Sequence, residues 1–466
     1  MAFSNAKLHA QSNGPTSLPK NPAKTPSGPL DKALSNEQYE AIEQQAVGRA
    51  RHQRRLESLP LQLQIIAGTS ATMASSNASP SIVKQWETAK QLAAGQVRRQ
   101  QFEEILPTTT RIQVQQPTRL TVENVIGYAA VPIGIAGPLT ITGEHQKSTV
   151  YAPLATTEPT LVASCARGCK AFQASGGIKA LATREAMSRS PVFRFDTVDD
   201  AVRFWKQLPA LEPELRVSAQ STTRHGRLIS ITPHIICREV HVKFCYTCGD
   251  ASGQNMTTIA THKACTDLLK RHGKDLRVVG FQIEGQLATD KKLSLRTDGN
   301  PRGVEVMAWG VLSDETCCKI LGQPAEAIHL ASQLGKEGAI RGGMCGNNVN
   351  TANIFAAMFI ACGQDAASVL ESGWAQLTTA YDLETKELTA TLFIPSLVVG
   401  TVGGGTGYAT QKEALGLLGC LGEGRKWALA ETICAFALAL DLSTLSAVGN
   451  DTFSQSHARM ARPAKL

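Results

Sequence analysis

The stretch LATTEPTLVASCARGCKA, residues 154–171, holds one carboxylate, Glu158, among threonines and apolar residues, with Arg167 and Lys170 following. If buried, a carboxyl group in such surroundings resists ionising and carries a proton at neutral pH, as a general acid must. GQLATDKKL (285–293) sets Asp290 beside Lys291 and Lys292. This cluster reads as a solvated turn or, if buried, as an acid that keeps Lys291 charged and oriented to stabilise an oxyanion. ACGQDAA (361–367) places one acid, Asp365, among small residues at the end of an apolar helix. SQSHARMAR (454–462) carries His457 in a basic tail, where it serves chemistry only if the tail folds over a site.

Two glycine-rich stretches accompany these groups. GDASGQNM (249–256) sets Asp250, Gly253 and Asn255 at the entry to a helix, either as an ordinary cap or as N–H groups open to an anion such as a pyrophosphate. It is not an EF-hand loop, because the twelfth position counted from Asp250 is Thr261 rather than Glu. GTVGGGTG (400–407) follows a strand-like run and is neither G-x-G-x-x-G nor a P-loop. Its glycines at 400, 403, 404 and 405 require that a ligand or a crossing chain segment approach the backbone. No metal is expected: Cys245-x-x-Cys248 has no second pair at zinc spacing. The twelve cysteines show no disulfide framework, which fits reduced thiols in an intracellular protein.

These groups need a scaffold, and 466 residues provide for roughly 2–3 domains. Residues 1–34 read as a disordered leader and 35–83 as an N-terminal helical segment; another helix is expected over 84–106. Over 119–141 the chain reads as a turn-rich, buried stretch leading into strands. Between 196 and 283 helical and strand-like runs alternate, which predicts a small α+β domain inserted into a large, mainly helical one formed by 84–195 and 284–466. A strand-like run at 388–400 is expected within that helical part. ICAFALAL (433–440) is short enough for a buried helix, and no transmembrane span or signal peptide is expected. The net charge of +8 does not by itself indicate nucleic acid and suits an anionic small molecule.

Taken in order, these stretches resemble the catalytic domain of 3-hydroxy-3-methylglutaryl-coenzyme A (HMG-CoA) reductase of the eukaryotic type, class I, without its membrane anchor. ENVIGY (123–128), VPIGIAGPL (131–139), ATTE (155–158), LVAS (161–164), RGCKA (167–171), GDASGQNM, TDKK (289–292), ACGQDAA, GTVGGGT (400–406) and a terminal SH (456–457) carry the resemblance, over residues 84–462. It implies an α+β fold in which a large helical domain holds HMG-CoA and an inserted ferredoxin-like domain binds NADPH. It also implies a homodimer or homotetramer with active sites between subunits. Glu158, Lys291, Asp365 and His457 match the catalytic residues: Lys291 faces the developing oxyanion, His457 protonates the departing thiolate, Glu158 protonates the aldehyde oxygen, and a buried Asp365 links Lys291 to Glu158. Arg167, Arg194, Glu284, Asp290, Lys292, Lys336 and Asn353 match substrate positions. Thr223, Arg224, Asp250, Gly253, Asn255, Gly400, Thr401, Gly403, Gly404 and Gly405 match cofactor positions, with Arg224 favouring NADPH over NADH.

The resemblance implies an enzyme that makes mevalonate and CoA for isoprenoid and terpenoid biosynthesis, with HMG-CoA as its small-molecule partner. Glu284 stands where the family has Ser, and Thr444 where it has Leu. These departures suggest an inhibitor-tolerant duplicate for a specialised pathway, in which Glu284 repels an acidic inhibitor. A non-catalytic protein that captures the acyl-CoA or an inhibitor is the alternative of another class. The terminal Ala464-Lys465-Leu466 resembles a peroxisomal address, so the expected location is peroxisomal or cytosolic.

Overall fold

Buried and exposed side chains alternate along β1 (Ile133–Gly143) and β2 (Lys147–Ala155), an antiparallel pair that opens the part of the chain described by the computed structural model. The described residues are 122–294, 302–450, 452–454 and 458. The expected leader, the segment 35–83, the helix over 84–106, His457 and the terminal tripeptide lie outside them. The Gly-Pro pair at 137–138, in the stretch expected to be turn-rich, does not end β1; the register shifts between Ala136 and Leu139 and the strand continues past a bulge. In α1 (Leu161–Ala174), Leu161, Cys165, Gly168, Cys169 and Phe172 fall on one buried face. β3 (Ile178–Arg189) then runs parallel to β1, while its last residues pair with a strand of a second unit.

That second unit runs β4 (Val192–Arg194), α2 (Val198–Gln220), β5 (Arg227–Ile236), β6 (Glu239–Thr247), α3 (Gln254–His272), β7 (Gly280–Gln282). Its strand order is β7-β4-β6-β5, with every neighbour antiparallel, which is the ferredoxin-like arrangement. Phe193, Phe204, Phe244, Tyr246 and Leu268 form a core of its own. α2 runs on to Gln220 through Pro209 and Pro213. An internal proline costs a helix about 3 kcal/mol. Burial of Leu208, Leu215 and Ala219 on the face that also holds Phe204 offsets this, at about 1.5–3 kcal/mol per large apolar side chain.

Past this unit the chain returns to the first sheet. β8 (Gly303–Ser313) pairs with β3, and after α4 (Ala325–Arg341) and α5 (Thr351–Ala361), β9 (Gln376–Tyr381) and β10 (Glu387–Leu397) complete the order β3-β8-β10-β9. The expected α+β class holds. The stretch after 283 contributes β8 and β9 as well as the anticipated strand at 388–400. In β8 the alternation was masked by Gly, Ala and Met among its apolar residues. α6 (Ala409–Leu417) and α7 (Lys426–Gly449) follow.

α7 contains ICAFALAL and is buried on all sides, with α1, α5, β3, β8 and β10 packed around it. It is long and apolar enough to cross a membrane by length and composition, but here it is the core helix of the fold. Its polar groups hold loops. Glu431 accepts N–H bonds from Glu144 (3.2 Å), His145 (3.0 Å) and Gln146 (2.7 Å) in the β1–β2 turn. Asp441 accepts them from Val349 (3.0 Å) and Asn350 (2.9 Å) at the entry to α5.

Two outcomes follow from α7. A Cβ at Gly168 would overlap the Ala439 carbonyl, which is backbone and cannot swing aside. Gly168→Ala should therefore lower the urea-unfolding free energy by about 1–3 kcal/mol, the usual cost of overpacking; an unchanged midpoint would show that the helices can separate freely. Burial pushes the Asp441 carboxyl up to about 7, against the pull of the two N–H groups. The folded chain therefore binds this proton more tightly than the unfolded chain, whose aspartates titrate near about 3.9. The resulting stability is fully present below that value and is lost as pH rises through 7. Between pH 5 and 8 the parent protein should lose thermal stability relative to Asp441→Asn; parallel curves would contradict this.

Candidate active site

The loop after β7 folds back on β3. Glu284 accepts the N–H of Ser190 (3.1 Å) and of Gln286 (2.7 Å), and Arg189 Nη1 lies 3.5 Å from it. It is therefore not the bare pocket anion expected from its position, because its charge is already met by Arg189 and two N–H groups. Asp290 and Lys291 form the middle of a turn closed by the Lys292 N–H on the Thr289 carbonyl (3.1 Å), with Lys291 in the left-handed region at φ 55°. Such a backbone costs of order 1–3 kcal/mol for a non-glycine residue and persists only where its surroundings enforce it.

Those surroundings are ionic. Asp290 accepts from Arg189 (3.0 Å) and from Arg302, not from Lys291 as the sequence suggested. Burial works against its charge, but Arg302 and Arg189 prevail and hold the carboxyl below its ordinary range. Arg302 is fully buried; its guanidinium also reaches Glu371 and the Ser188 carbonyl (2.7 Å). Lys291 instead pairs with Asp365, Nζ to Oδ2 3.0 Å. The two side chains are 43% and 40% exposed, so Asp365 is not the buried aspartate expected; the pair faces open space. Lys292 donates to the Asp290 carbonyl (3.1 Å) and is exposed.

Both glycine-rich loops border this pair. Gly400 passes so close to the 250–252 backbone that a Cβ would overlap the Ser252 nitrogen, and a Cβ at Gly405 would lie 2.8 Å from the Gly363 oxygen. These two glycines serve segment crossings. Gly403 and Gly404 have positive φ and open space where a Cβ would stand, so a ligand can approach this backbone, although the Gly403 carbonyl is taken by the Thr406 N–H (3.3 Å) and hydroxyl (2.7 Å). Thr401 is buried, with its N–H on the Asp250 carbonyl (2.8 Å) and its hydroxyl on Gly422 (2.6 Å). The Gly400 N–H donates to Gln364 (2.8 Å), the neighbour of Asp365, and Gln254 donates to Ser368 (3.2 Å). The Asp250 carboxylate is spent on the N–H groups of Gly424 (2.8 Å), Arg425 (3.1 Å) and Lys426 (3.2 Å); it caps α7 rather than facing a ligand. Gly253 caps α3 at φ 89° without a side-chain bond, and Asn255 is exposed in the first turn of that helix. Thr223 binds the N–H of His225 (3.1 Å) and Gly226 (3.0 Å), which shapes a turn that leaves Arg224 exposed.

Glu158 lies elsewhere. It is exposed on the β2–α1 turn, its N–H on Thr156 (2.9 Å), and it accepts from Asn353 Nδ2 (3.0 Å). The burial expected of it is not supplied by this chain alone. Asn353 is in the first turn of α5 and Asp365 lies beyond the last, about 12 Å of helix rise away. Asp365 thus does not link Lys291 to Glu158 within one chain; the residues form two groups at opposite ends of α5. Arg167 is half-buried, bonded to Ser443 through Nε (2.9 Å) and Nη2 (2.5 Å), and burial lowers its pKa. It ties α1 to α7. Thr444 is buried and takes the Asn350 amide (3.1 Å), so it belongs to a polar cluster. Arg194 is exposed on β4 and Lys336 on α4; no hydrogen bond or ion pair joins either to the Lys291–Asp365 pair.

Arg302, Glu371, Arg189 and Gln364 were not singled out in the sequence. None of them belongs to a periodic pattern, and only the closed fold shows it buried or bonded. Among the described residues no three His, Cys, Asp or Glu side chains come together as a metal site, and no disulfide joins the twelve cysteines.

A family model described as hydroxymethylglutaryl-coenzyme A reductase matches residues 85–462. The chain is 36% identical over 356 residues to the 3-hydroxy-3-methylglutaryl-coenzyme A reductase of Methanocaldococcus jannaschii, covering 75% of this chain and 87% of that protein. It is 35% identical over 346 residues to the reductase of Schistosoma mansoni, covering 73% of this chain and 36% of that protein. A structure of the class II reductase of Streptococcus pneumoniae bound to NADPH aligns with TM-score 0.55 at 20% identity, covering 84% of this chain and 98% of that one, a likeness of fold. With the match spanning the same stretch as the motifs, the chain belongs to the hydroxymethylglutaryl-coenzyme A reductase family.

Proposed function

We propose that this protein reduces HMG-CoA to mevalonate and CoA at the expense of two NADPH, feeding an isoprenoid supply. The observation that carries this reading is the exposed Lys291–Asp365 pair bordered by two glycine-rich loops. The NADPH-bound relative of like fold supports the cofactor. The residues fit it: open backbone at Gly403 and Gly404, the uncapped start of α3 at Gly253, and the exposed guanidinium of Arg224 for an adenosine phosphate. When bound, NADPH supplies the hydride for each reduction.

The chain's own groups handle charge and protons. Hydride addition to the thioester carbon leaves negative charge on its oxygen, and the Lys291 ammonium, oriented by Asp365, meets that charge. That oxyanion then collapses to the aldehyde as the carbon–sulfur bond breaks, and the departing CoA sulfur takes a proton from His457. The aldehyde left behind gains a second hydride at carbon and a proton at oxygen from Glu158, giving the alcohol. Glu158 and Asn353 stand at the far end of α5 from Lys291. A homodimer, or a tetramer built from dimers, in which one subunit presents Glu158 to the other subunit's Lys291, accounts for that separation and for the exposure of both half-sites.

Following NADPH absorbance after addition of HMG-CoA should show two equivalents consumed per mevalonate formed. Lys291→Ala should lower kcat by about 10²-fold or more with little change in the KM for NADPH, since it removes stabilisation made mainly in the transition state. No NADPH consumption by the parent protein would replace this reading with a binding protein. Near-normal turnover by the variant would remove Lys291 from its role.

A further inference from the structure

The Lys291–Asp365 pair is open to solvent, yet the two segments that carry it are pinned from beneath by one buried side chain. Arg302 precedes β8 and is wholly buried. One terminal nitrogen reaches Asp290, the residue before Lys291, while Nε reaches Glu371, on the short helical turn that begins at Asp365. The other terminal nitrogen donates to the Ser188 carbonyl at the end of β3 (2.7 Å), and the Arg302 N–H donates to Ser396 on β10 (3.3 Å). The guanidinium thus ties together the Asp290-Lys291 turn, the 365–372 segment and the end of β3.

On the reading under Proposed function, we propose that Arg302 is a positioning residue for the reduction, acting through Asp290 and Glu371 to hold Lys291 and Asp365 at bonding distance. The physical need is visible in the turn. Lys291 holds a left-handed backbone, and Lys291 and Asp365 are exposed side chains that water would otherwise separate. An exposed pair of this kind holds itself together only weakly, so its geometry must come from the backbones beneath it. A planar guanidinium with donors in three directions can fix those backbones at once; a lysine, with one point charge, cannot. Glu371 balances the charge: burial pushes its carboxyl up, with Arg302 working against this. Arg189 steadies Asp290 from its other side (3.0 Å) but reaches no residue of the 365–372 segment, so it cannot replace Arg302.

Arg302→Lys keeps the charge and loses the fork. It should lower kcat for HMG-CoA reduction by about tenfold or more while the KM for NADPH stays within about twofold, since the loss falls on a transition-state contact. Its crystal structure should show the Lys291–Asp365 contact opened. A purely structural role would reduce the folded yield but leave kcat per folded molecule and that contact as they are, and would overturn the proposal. Should Arg302→Lys not fold, Arg302→Met combined with Glu371→Leu replaces the buried pair by apolar groups, an exchange that is often neutral for stability. That double variant should fold and show the same loss of kcat; parent-like kcat would overturn the proposal. Inactivity of the parent protein would instead refute the reductase reading.

Discussion

A helix buried on every side must find a partner for each polar group it carries, and this constraint organises the fold. α7 brings Glu431 and Asp441 into the interior, and neither meets water. Each is satisfied by backbone N–H groups of a loop, so the loops around α7 are set by its carboxylates. Its first turn is held in the same way from outside, by Asp250, while Lys426 pairs with Glu185 on β3 and donates to the Ala251 carbonyl (3.0 Å). The loop before α3 is thereby anchored to the core helix of the other part of the chain. The same helix receives Arg167 from α1 through Ser443.

The chemistry is placed at the rim of this framework. α5, whose entry is fixed by Asp441, separates Asn353 and Glu158 at one end from Asp365 and Lys291 at the other. A single chain therefore presents two exposed half-sites. Glu158 and Asp365, the carboxylates of the proposed mechanism, are exposed in the single chain; the paired-subunit arrangement proposed above would exclude the water around them. Exclusion matters because the charge on a thioester oxygen is stabilised far better by a fixed ammonium in a dry site than in water.

The inserted unit was legible because its strands and helices alternate with clear periods, and its ferredoxin-like order matches what the resemblance implied. The groups bearing chemistry were legible because they sit in short, unusual contexts: glycine runs, or one acid among small residues. Their environments were not. Glu158 sits with exposed Thr157 and Pro159 at the tip of the turn, and the chain goes inward only at Ala155 and Leu161. Asp250 and Glu284, read as ligand contacts, are taken up by N–H groups that only the folded chain brings to them. Arg302, Glu371 and Asp441 had no sequence signal at all. An isolated charged residue normally marks a surface, and it takes the closure of β3, β8 and the 365–372 segment to leave Arg302 without exposure. His457 lies outside the described residues.

In the proposed mechanism, Lys291, as Asp365 holds it, receives the thioester oxygen of HMG-CoA. The direct measurement is a crystal structure of the protein with HMG-CoA and oxidised cofactor bound. That oxygen should lie within about 3.2 Å of Lys291 Nζ, with the Lys291–Asp365 contact intact. A thioester bound elsewhere, with Lys291 turned to solvent, would contradict the account.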